Sequence, residues 1–407
     1  MNTKPALSFG EFVALMAMMM ALAALSTDAM LPALRNIGDD LTVQRENSTQ
    51  LIVSFLFLGM AAGQIAYGPV SDSIGRKPAI YAGYTLFIAG CLLSIFATNF
   101  SVMLAGRLLQ GVGIAGPRSI TLALVRDQYE GRAMARVMSF VMVVFILVPV
   151  IAPSFGQAIL LFASWRAIFG ALLTLALLTV LWFALRQPET LPENRQIPFS
   201  IQRIWKAIVE ICTHRIAFGY TLGAGLVSGA FMGYLNSAQQ IFQEQYGLGT
   251  RFPLYFAMIA LAIGGASFTN GRLVMRYGMR ALSSGSVLAL VVLSIAFSLF
   301  AFVVGGHPPL PALMIYLMAS FFCVGILFGN LNALAMEPLG HIAGVGAAVV
   351  GSLSTFIAVP LGTVIGQGYN GTVLPLVGGF AVLSALSMAV MRWAEGRRRV
   401  AEMEPSR

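Results

Sequence analysis

Twelve apolar stretches, each about 20 residues long, constrain what this chain can fold into more than any other feature of it. They fall near 12–34, 49–69, 79–98, 101–125, 137–161, 166–185, 216–240, 253–274, 281–304, 312–335, 344–367 and 370–391. A helix rises 1.5 Å per residue, so about 20 residues cross the ~30 Å hydrocarbon layer of a bilayer. Lipid offers no partner for open backbone groups, which forces every such run into a helix. Composition fits this: 58% of residues are hydrophobic, 10% are charged and the mean hydropathy is +0.82. That is more apolar surface than one water-soluble core can hide. The reading is an all-α integral membrane chain with twelve transmembrane helices.

The net charge of +9 invites a nucleic-acid reading, but the placement of the basic residues argues against it. Nineteen of the 25 Lys and Arg fall on termini and alternate loops of one side, from Lys4 through Arg76, Lys77 and Arg126 to Arg407. Only Arg35, Arg45, Arg166 and Arg251 fall opposite. This is the positive-inside bias, and it puts both termini in the cytoplasm. The expected partners are therefore the lipid bilayer and small solutes, with no nucleic acid. Three scattered cysteines and three histidines form neither a disulfide framework nor a metal-ligand spacing, so no metal is expected. The first apolar run continues to about Leu34 with further spans behind it, and is read as an uncleaved helix.

The longest polar connection, 186–215, carries Pro188, Pro192 and Pro198. Within it Ile201–Ile211 suits either an amphipathic interfacial helix or an ordinary linker. Glycines 219, 223, 225, 229 and 233 in the seventh run, and 344, 346, 351, 362 and 366 in the eleventh, are read mostly as helix-packing positions.

Gly68-Pro69-Val70-Ser71-Asp72-Ser73-Ile74-Gly75-Arg76-Lys77-Pro78 reads as a charged loop between the second and third runs. A worn copy stands at Gly271–Arg280, its two glycines again seven apart and offset by 203 residues in a chain of 407. A repeat at half the chain length marks a duplicated membrane bundle. Asp72 can accept from a helix N-terminus or pair with an arginine. A loop that merely sets topology is the competing reading.

Gly68, Asp72, Gly75, Arg76 and Lys77 resemble the loop signature between the second and third helices of the major facilitator superfamily. The resemblance implies the major facilitator fold: two six-helix bundles around a central cavity, here 1–187 and 215–407, joined by a cytoplasmic linker at 188–214. It implies that this loop latches one conformation, and that Asp127, after Arg126 at the end of the fourth run, joins its charge network.

The fourth run holds Arg107-Leu108-Leu109-Gln110-Gly111, similar to the family's fourth-helix signature. An arginine at that depth is costly and needs partners. Arg118, eleven residues on, lies on the same side of the helix and follows Pro117. Whether it serves substrate, proton or structure stays open. Asp28 is the one acidic residue well inside any run. It and Arg107 are each about six residues from the outer end of their helices, ~9 Å deep, so an ion pair or water-bridged pair is expected. Asp28 and Arg107 are the candidate proton-coupling residues, with a purely structural pair as the alternative and Glu337 as a second candidate carboxylate.

Pro149, Pro153 and Gly156 in the fifth run resemble the fifth-helix signature of the superfamily's antiporters, departing at Gln157, where a glycine is usual. A proline kink without directional meaning competes with that. Met138–Met142, Phe268-Thr269-Asn270 and Asn332–Pro338 narrow the resemblance to the bicyclomycin-resistance/chloramphenicol-efflux (Bcr/CflA) branch of drug:proton antiporters. What this implies is a multi-pass protein of the bacterial inner membrane. It would work as a monomer without a cofactor, exporting largely apolar drug-like compounds on the proton gradient. Candidate substrate contacts are Met20, Met30, Arg118, Asn236, Gln239 and Asn330, since Met-rich walls adapt to varied apolar ligands. A metabolite exporter or symporter of the same fold, and an integral membrane enzyme, are the rival readings.

Overall fold

The computed structural model describes residues 7–403, and among them the chain is helical throughout, without strands. Lys4 and Arg407 lie outside the described residues, as do the side chains of Arg397, Arg398 and Arg399. The apolar runs become α1 (Phe9–Asp28), α3 (Leu51–Ile74), α4 (Arg76–Ile95), α5 (Phe100–Gln128), α6 (Gly131–Leu160) and α7 (Arg166–Arg186) in the first half. In the second half they become α9 (Arg215–Leu235), α10 (Phe252–Tyr277), α11 (Met279–Val303), α12 (Leu310–Met336), α13 (Ala343–Gln367) and α14 (Leu374–Met403). The short α2 (Leu34–Asp40) follows α1, and α8 (Ile201–Thr213) precedes α9. Helices α12 and α13 run together as a 58-residue apolar stretch, divided by a 3₁₀ turn at Glu337–Ile342 in which Leu339 leaves helical geometry.

By packing, the chain forms two compact units, Met1–Ile201 with Thr250–Ala257, and Gln202–Gly249 with Met258–Arg407. In the first unit α5 packs against α3 and α4, α1 against α6, and α4 against α7. The α3–α5 contact is backbone on backbone: a Cβ added at Gly111 would stand 2.0 Å from the Leu56 carbonyl oxygen, and one at Gly59 2.1 Å from that of Leu108. Small residues give membrane helices this approach, because lipid tails supply no hydrophobic drive to association. In the second unit α9 packs on α13 in the same manner. Gly225 and Gly233 meet Ile357 and Ile365, and Gly362 and Gly366 meet Met232 and Asn236. Gly225, Gly233, Gly362 and Gly366 are packing positions there, whereas a Cβ at Gly344 would meet nothing.

The structure corrects the reading of residues 68–78 as a loop. Helix α3 continues through Gly68, Pro69 and Asp72 to Ile74, and α4 begins at Arg76 with Pro78 in its first turn. One residue, Gly75 (φ +99°, ψ 159°), separates them, and one residue, Gly278 (φ +78°, ψ 156°), separates α10 from α11. The two hinges lie 203 residues apart and share a backbone region open to glycine almost alone, so both halves turn by the same device. Pro78 is tolerated because a first-turn N–H needs no helical partner. Gly75→Ala and Gly278→Ala should each cost about 1–3 kcal/mol of backbone strain, read as a lowered thermal unfolding midpoint in detergent.

Two runs end as α-helices sooner than expected. The first gives up the α-helical bonding pattern after Asp28: Ala29 and Met30 keep right-handed helical backbone and lead into a 3₁₀ turn at Leu31–Ala33. The seventh does so after Leu235, continuing past Asn236 into a π-helical turn at Gln240–Gln245. Between the halves, α8 is a regular helix of 13 residues that buries Ile204, Ala207 and Ile211 and exposes Ile201, Trp205 and Val209.

Candidate functional site

Asp28 occupies the break in the first membrane stretch. Ser26 and Thr27 before it turn their hydroxyls back on the Leu22 and Ala23 carbonyls, a bond that loosens a helix end. The Ala29 amide closes the last turn on Leu25 (3.0 Å). The Asp28 side chain is 6% exposed, and among the described residues no hydrogen bond or ion pair reaches its carboxyl group. An ionisable residue inside a membrane helix and without a partner marks a functional position by default.

The expected direct ion pair with Arg107 is not formed. Arg107 is fully buried and its guanidinium is occupied elsewhere. Its Nη2 donates to the Ser26 carbonyl (2.9 Å), its Nε to that of Ile52 (3.2 Å) and its Nη1 to Gln110 Oε1 (2.6 Å), and the group lies 5.7 Å from the Phe169 ring centre. The reason is local. Ser26 belongs to the last turn of α1, where carbonyls lose their i+4 amides, and a cation complements a helix C-terminus. Gln110 passes the connection on, donating from Nε2 to Gly90 O (3.0 Å) and Ser94 Oγ (2.9 Å) of α4. One buried arginine thus ties α5 to α1, α3, α4 and α7, and holds the backbone two residues from Asp28. Arg118 stands half-buried directly after Pro117 in α5.

The Gly75 hinge carries the second cluster. Arg76 donates to Asp72 Oδ1 (2.5 Å), Asp127 Oδ2 (3.0 Å) and Ser71 Oγ (2.9 Å), joining the ends of α3, α4 and α5. Of the two partners open to Asp72, the arginine is the one it takes. The α4 N-terminus is capped instead by Glu189, which accepts from the Arg76 and Lys77 amides at 3.0 and 2.9 Å. Lys77 reaches across to the carbonyls at the end of α7, Ala184 (3.4 Å) and Gln187 (2.7 Å). Thr190 bonds Asp127 at 2.8 Å, and the Ile197 amide bonds the Asp72 carbonyl at 2.9 Å. The polar connection after α7 is therefore strapped onto the hinge. Glu189 escaped sequence reasoning because it lies 113 residues from the helix that it caps.

The second unit builds its own version around Gly278. Arg280 pairs with Glu337 (2.5 Å) at the end of α12 and with Glu395 (2.9 Å) of α14, and Tyr220 of α9 donates to Glu395 (2.6 Å). Glu337, the second candidate carboxylate, is thus engaged in an ion pair.

The candidate substrate contacts are buried in their own units. Met20 lies two turns before Asp28 and Met30 within the break, both packed. Asn236 caps α9, and Gln239 donates to Glu244 (3.1 Å) just beyond it. Asn330 is 4% exposed and exchanges both amide bonds with Asn270 of α10 (3.0 and 2.9 Å). Its amide is committed to a helix-to-helix pair, which the residue type alone does not reveal. In α6, Gly156 lies against Ala29, the residue after Asp28, and Pro149 and Pro153 stand within an uninterrupted helix.

A model of the Major Facilitator Superfamily matches residues 7–363. A Bacillus subtilis (strain 168) protein described as an uncharacterized MFS-type transporter, YdgK, is 31% identical over 86% of this chain and 87% of its own length. The bicyclomycin resistance protein homolog of Haemophilus influenzae is 27% identical over 92% of this chain and 94% of its own. Multidrug resistance protein D of Escherichia coli K12 is 25% identical over 94% and 97%. Two solved structures share the fold. The human organic anion transporter MFSD10 (TETRAN) has a TM-score of 0.69 at 17% identity, covering 95% of this chain and 100% of that one. The partially occluded inward-open xylose transporter XylE of E. coli has 0.70 at 12%, covering 94% and 97%. With a family model spanning residues 7–363 and a relative 31% identical over 86% of its length, the chain belongs to the major facilitator superfamily of membrane transporters.

Proposed function

We propose that this transporter exports small, largely apolar compounds across the bacterial cytoplasmic membrane in exchange for inward-moving protons, with both termini in the cytoplasm. The observation that carries the proton half of this reading is Asp28, a buried carboxyl group without a partner among the described residues, set where a membrane helix breaks. Relatives named for bicyclomycin and multidrug resistance support the substrate half. The energy suffices, since one charge moving through 100 mV supplies ~2.3 kcal/mol before any pH gradient.

Asp28 carries the proton in this account. Arg107, which holds the Ser26 carbonyl, fixes the break around it and supplies a positive charge to the same region. Met20 and Met30 in the first unit, and Asn236 and Gln239 in the second, are the proposed substrate contacts, with Arg118 as a polar anchor. Asn330 acts through its pairing with Asn270.

The Gly75 hinge gates transport. Asp72→Asn removes one of two carboxylates on Arg76 while leaving Asp127 in place. Binding affinity should hold while the transport rate falls about tenfold, because ~1.4 kcal/mol between conformations changes their populations by that factor. Lost binding at an unchanged rate would remove the hinge from this role. The overall function is tested by a growth-inhibition panel of antibiotics and dyes in efflux-deficient cells expressing the protein. Resistance to apolar compounds that a protonophore abolishes supports it. Protection indifferent to the protonophore, or none across the panel, overturns it.

A further inference from the structure

We infer that Gly156 is a positioning residue for the Asp28 carboxyl group: lacking a side chain, it lets α6 seat the Ala29 carbonyl and so sets where the break in the first membrane stretch lies. The inference rests on the reading of Asp28 as the proton carrier. A Cβ at Gly156 would lie 1.6 Å from the Ala29 oxygen, 2.7 Å from its carbonyl carbon and 3.2 Å from its Cα. That is closer than the 2.0 and 2.1 Å approaches at Gly111 and Gly59. The obstacle is backbone, so no rotamer relieves it. To reach an ordinary carbon–oxygen separation the Ala29 carbonyl must retreat by roughly 1.8 Å.

Asp28 is thereby held between two fixed points. On one side, Arg107 of α5 grips the Ser26 carbonyl at 2.9 Å. On the other, the bare backbone of α6 supports Ala29, and α6 also packs on the 3₁₀ turn Leu31–Ala33 that follows. The proton affinity of a buried carboxyl group depends steeply on the dipoles and charges around it, because a low-dielectric site screens them weakly. Among the helices packed against α1, α5 brings Arg107 to this region and carries Arg118 eleven residues further along, and α7 brings Arg186 to Glu11 at the far end of α1. Helix α6 carries Arg132 and Arg136 in its first turns and no titratable residue from Met138 to Leu160. What α6 contributes at Asp28 is therefore position and not charge. Pro153, three residues before Gly156, denies α6 one backbone N–H, so the helical bond to the Pro149 carbonyl is missing one turn before the seat.

The test follows the carboxylic-acid C=O band of Asp28 by infrared difference spectroscopy as a function of pH, with the full-length protein in lipid nanodiscs. Loss of the band in Asp28→Asn assigns it. Gly156→Ala should move its titration midpoint by about one pH unit or more, a tenfold change in proton affinity. Gly113→Ala serves as the packing control, since its Cβ would lie 2.3 Å from the Phe87 amide nitrogen, between α5 and α4, and it should leave the midpoint in place. If Gly156→Ala does not accumulate, Pro153→Ala replaces it, adding no atom at the contact, with the same shift expected. An unmoved midpoint in the α6 variant, or an equal shift in Gly113→Ala, overturns the positioning role and leaves Asp28 as the carrier. A band that survives Asp28→Asn overturns the carrier reading itself, and the two failures are told apart in one data set.

Discussion

Arg107→Ala should lose about 3–5 kcal/mol of stability and accumulate poorly in membranes. The substitution strips the Ser26 carbonyl, the Ile52 carbonyl and Gln110 Oε1 of a donor at once, in a site with no exposure to water. Each buried acceptor left short costs about 1–3 kcal/mol in water-soluble proteins, and interhelical bonds in membranes run lower, near 0.6–2 kcal/mol. Three such losses, with the void left by the side chain, give the stated range. Arg107→Lys separates charge from geometry. It keeps the cation, but one ammonium group cannot reach the three acceptors that a planar guanidinium spans. It should recover part of the stability and not all. The measurement is thermal unfolding of purified protein monitored by tryptophan fluorescence. A midpoint within 2 °C of wild type for the alanine variant, against the several degrees such a loss implies, would deny Arg107 its role as the hub of the first unit.

Much of this architecture was legible in the sequence, and the exceptions have physical causes. Apolar runs of membrane length become helices because lipid leaves no alternative, so α3 to α7 and α9 to α14 fall where the runs do. The 203-residue repeat reappears as two hinges because the glycine-only backbone at Gly75 and Gly278 demands that residue. The helical character of Gly68–Ile74 was hidden because Gly, Pro, Ser and Asp all favour loops in water, whereas in this setting packing on α5 carries the helix through them. Partners of Arg107 could not be read, since two of the three are backbone carbonyls, which every residue owns. The Glu189 cap and the Asn270–Asn330 pair join residues 113 and 60 positions apart, and no local pattern announces them. Gly156 was visible as part of a motif, but its seat beneath Ala29 joins residues 127 positions apart and follows only from the fold.

Asp28→Asn should behave in the opposite way to Arg107→Ala: folding intact, coupling abolished. Asparagine matches aspartic acid in size, and because no partner among the described residues holds the carboxyl group, none is lost. The unfolding midpoint should stay within a few degrees of wild type. Function should change completely, since an amide imitates the protonated carboxyl group and can neither accept nor release a proton. Efflux driven by an imposed pH gradient in vesicles should fall to the level of empty vesicles, while substrate exchange without a gradient persists.

Linkage makes the claim measurable without transport. If protonation of Asp28 weakens substrate binding, substrate binding must expel the proton by the same free energy. The direct test is to add a transported compound to purified protein in weakly buffered detergent solution and record the pH. Wild type should release protons in proportion to the binding sites filled. Asp28→Asn should bind the compound and release none, whereas release from the asparagine variant equal to wild type would contradict Asp28 as the proton carrier.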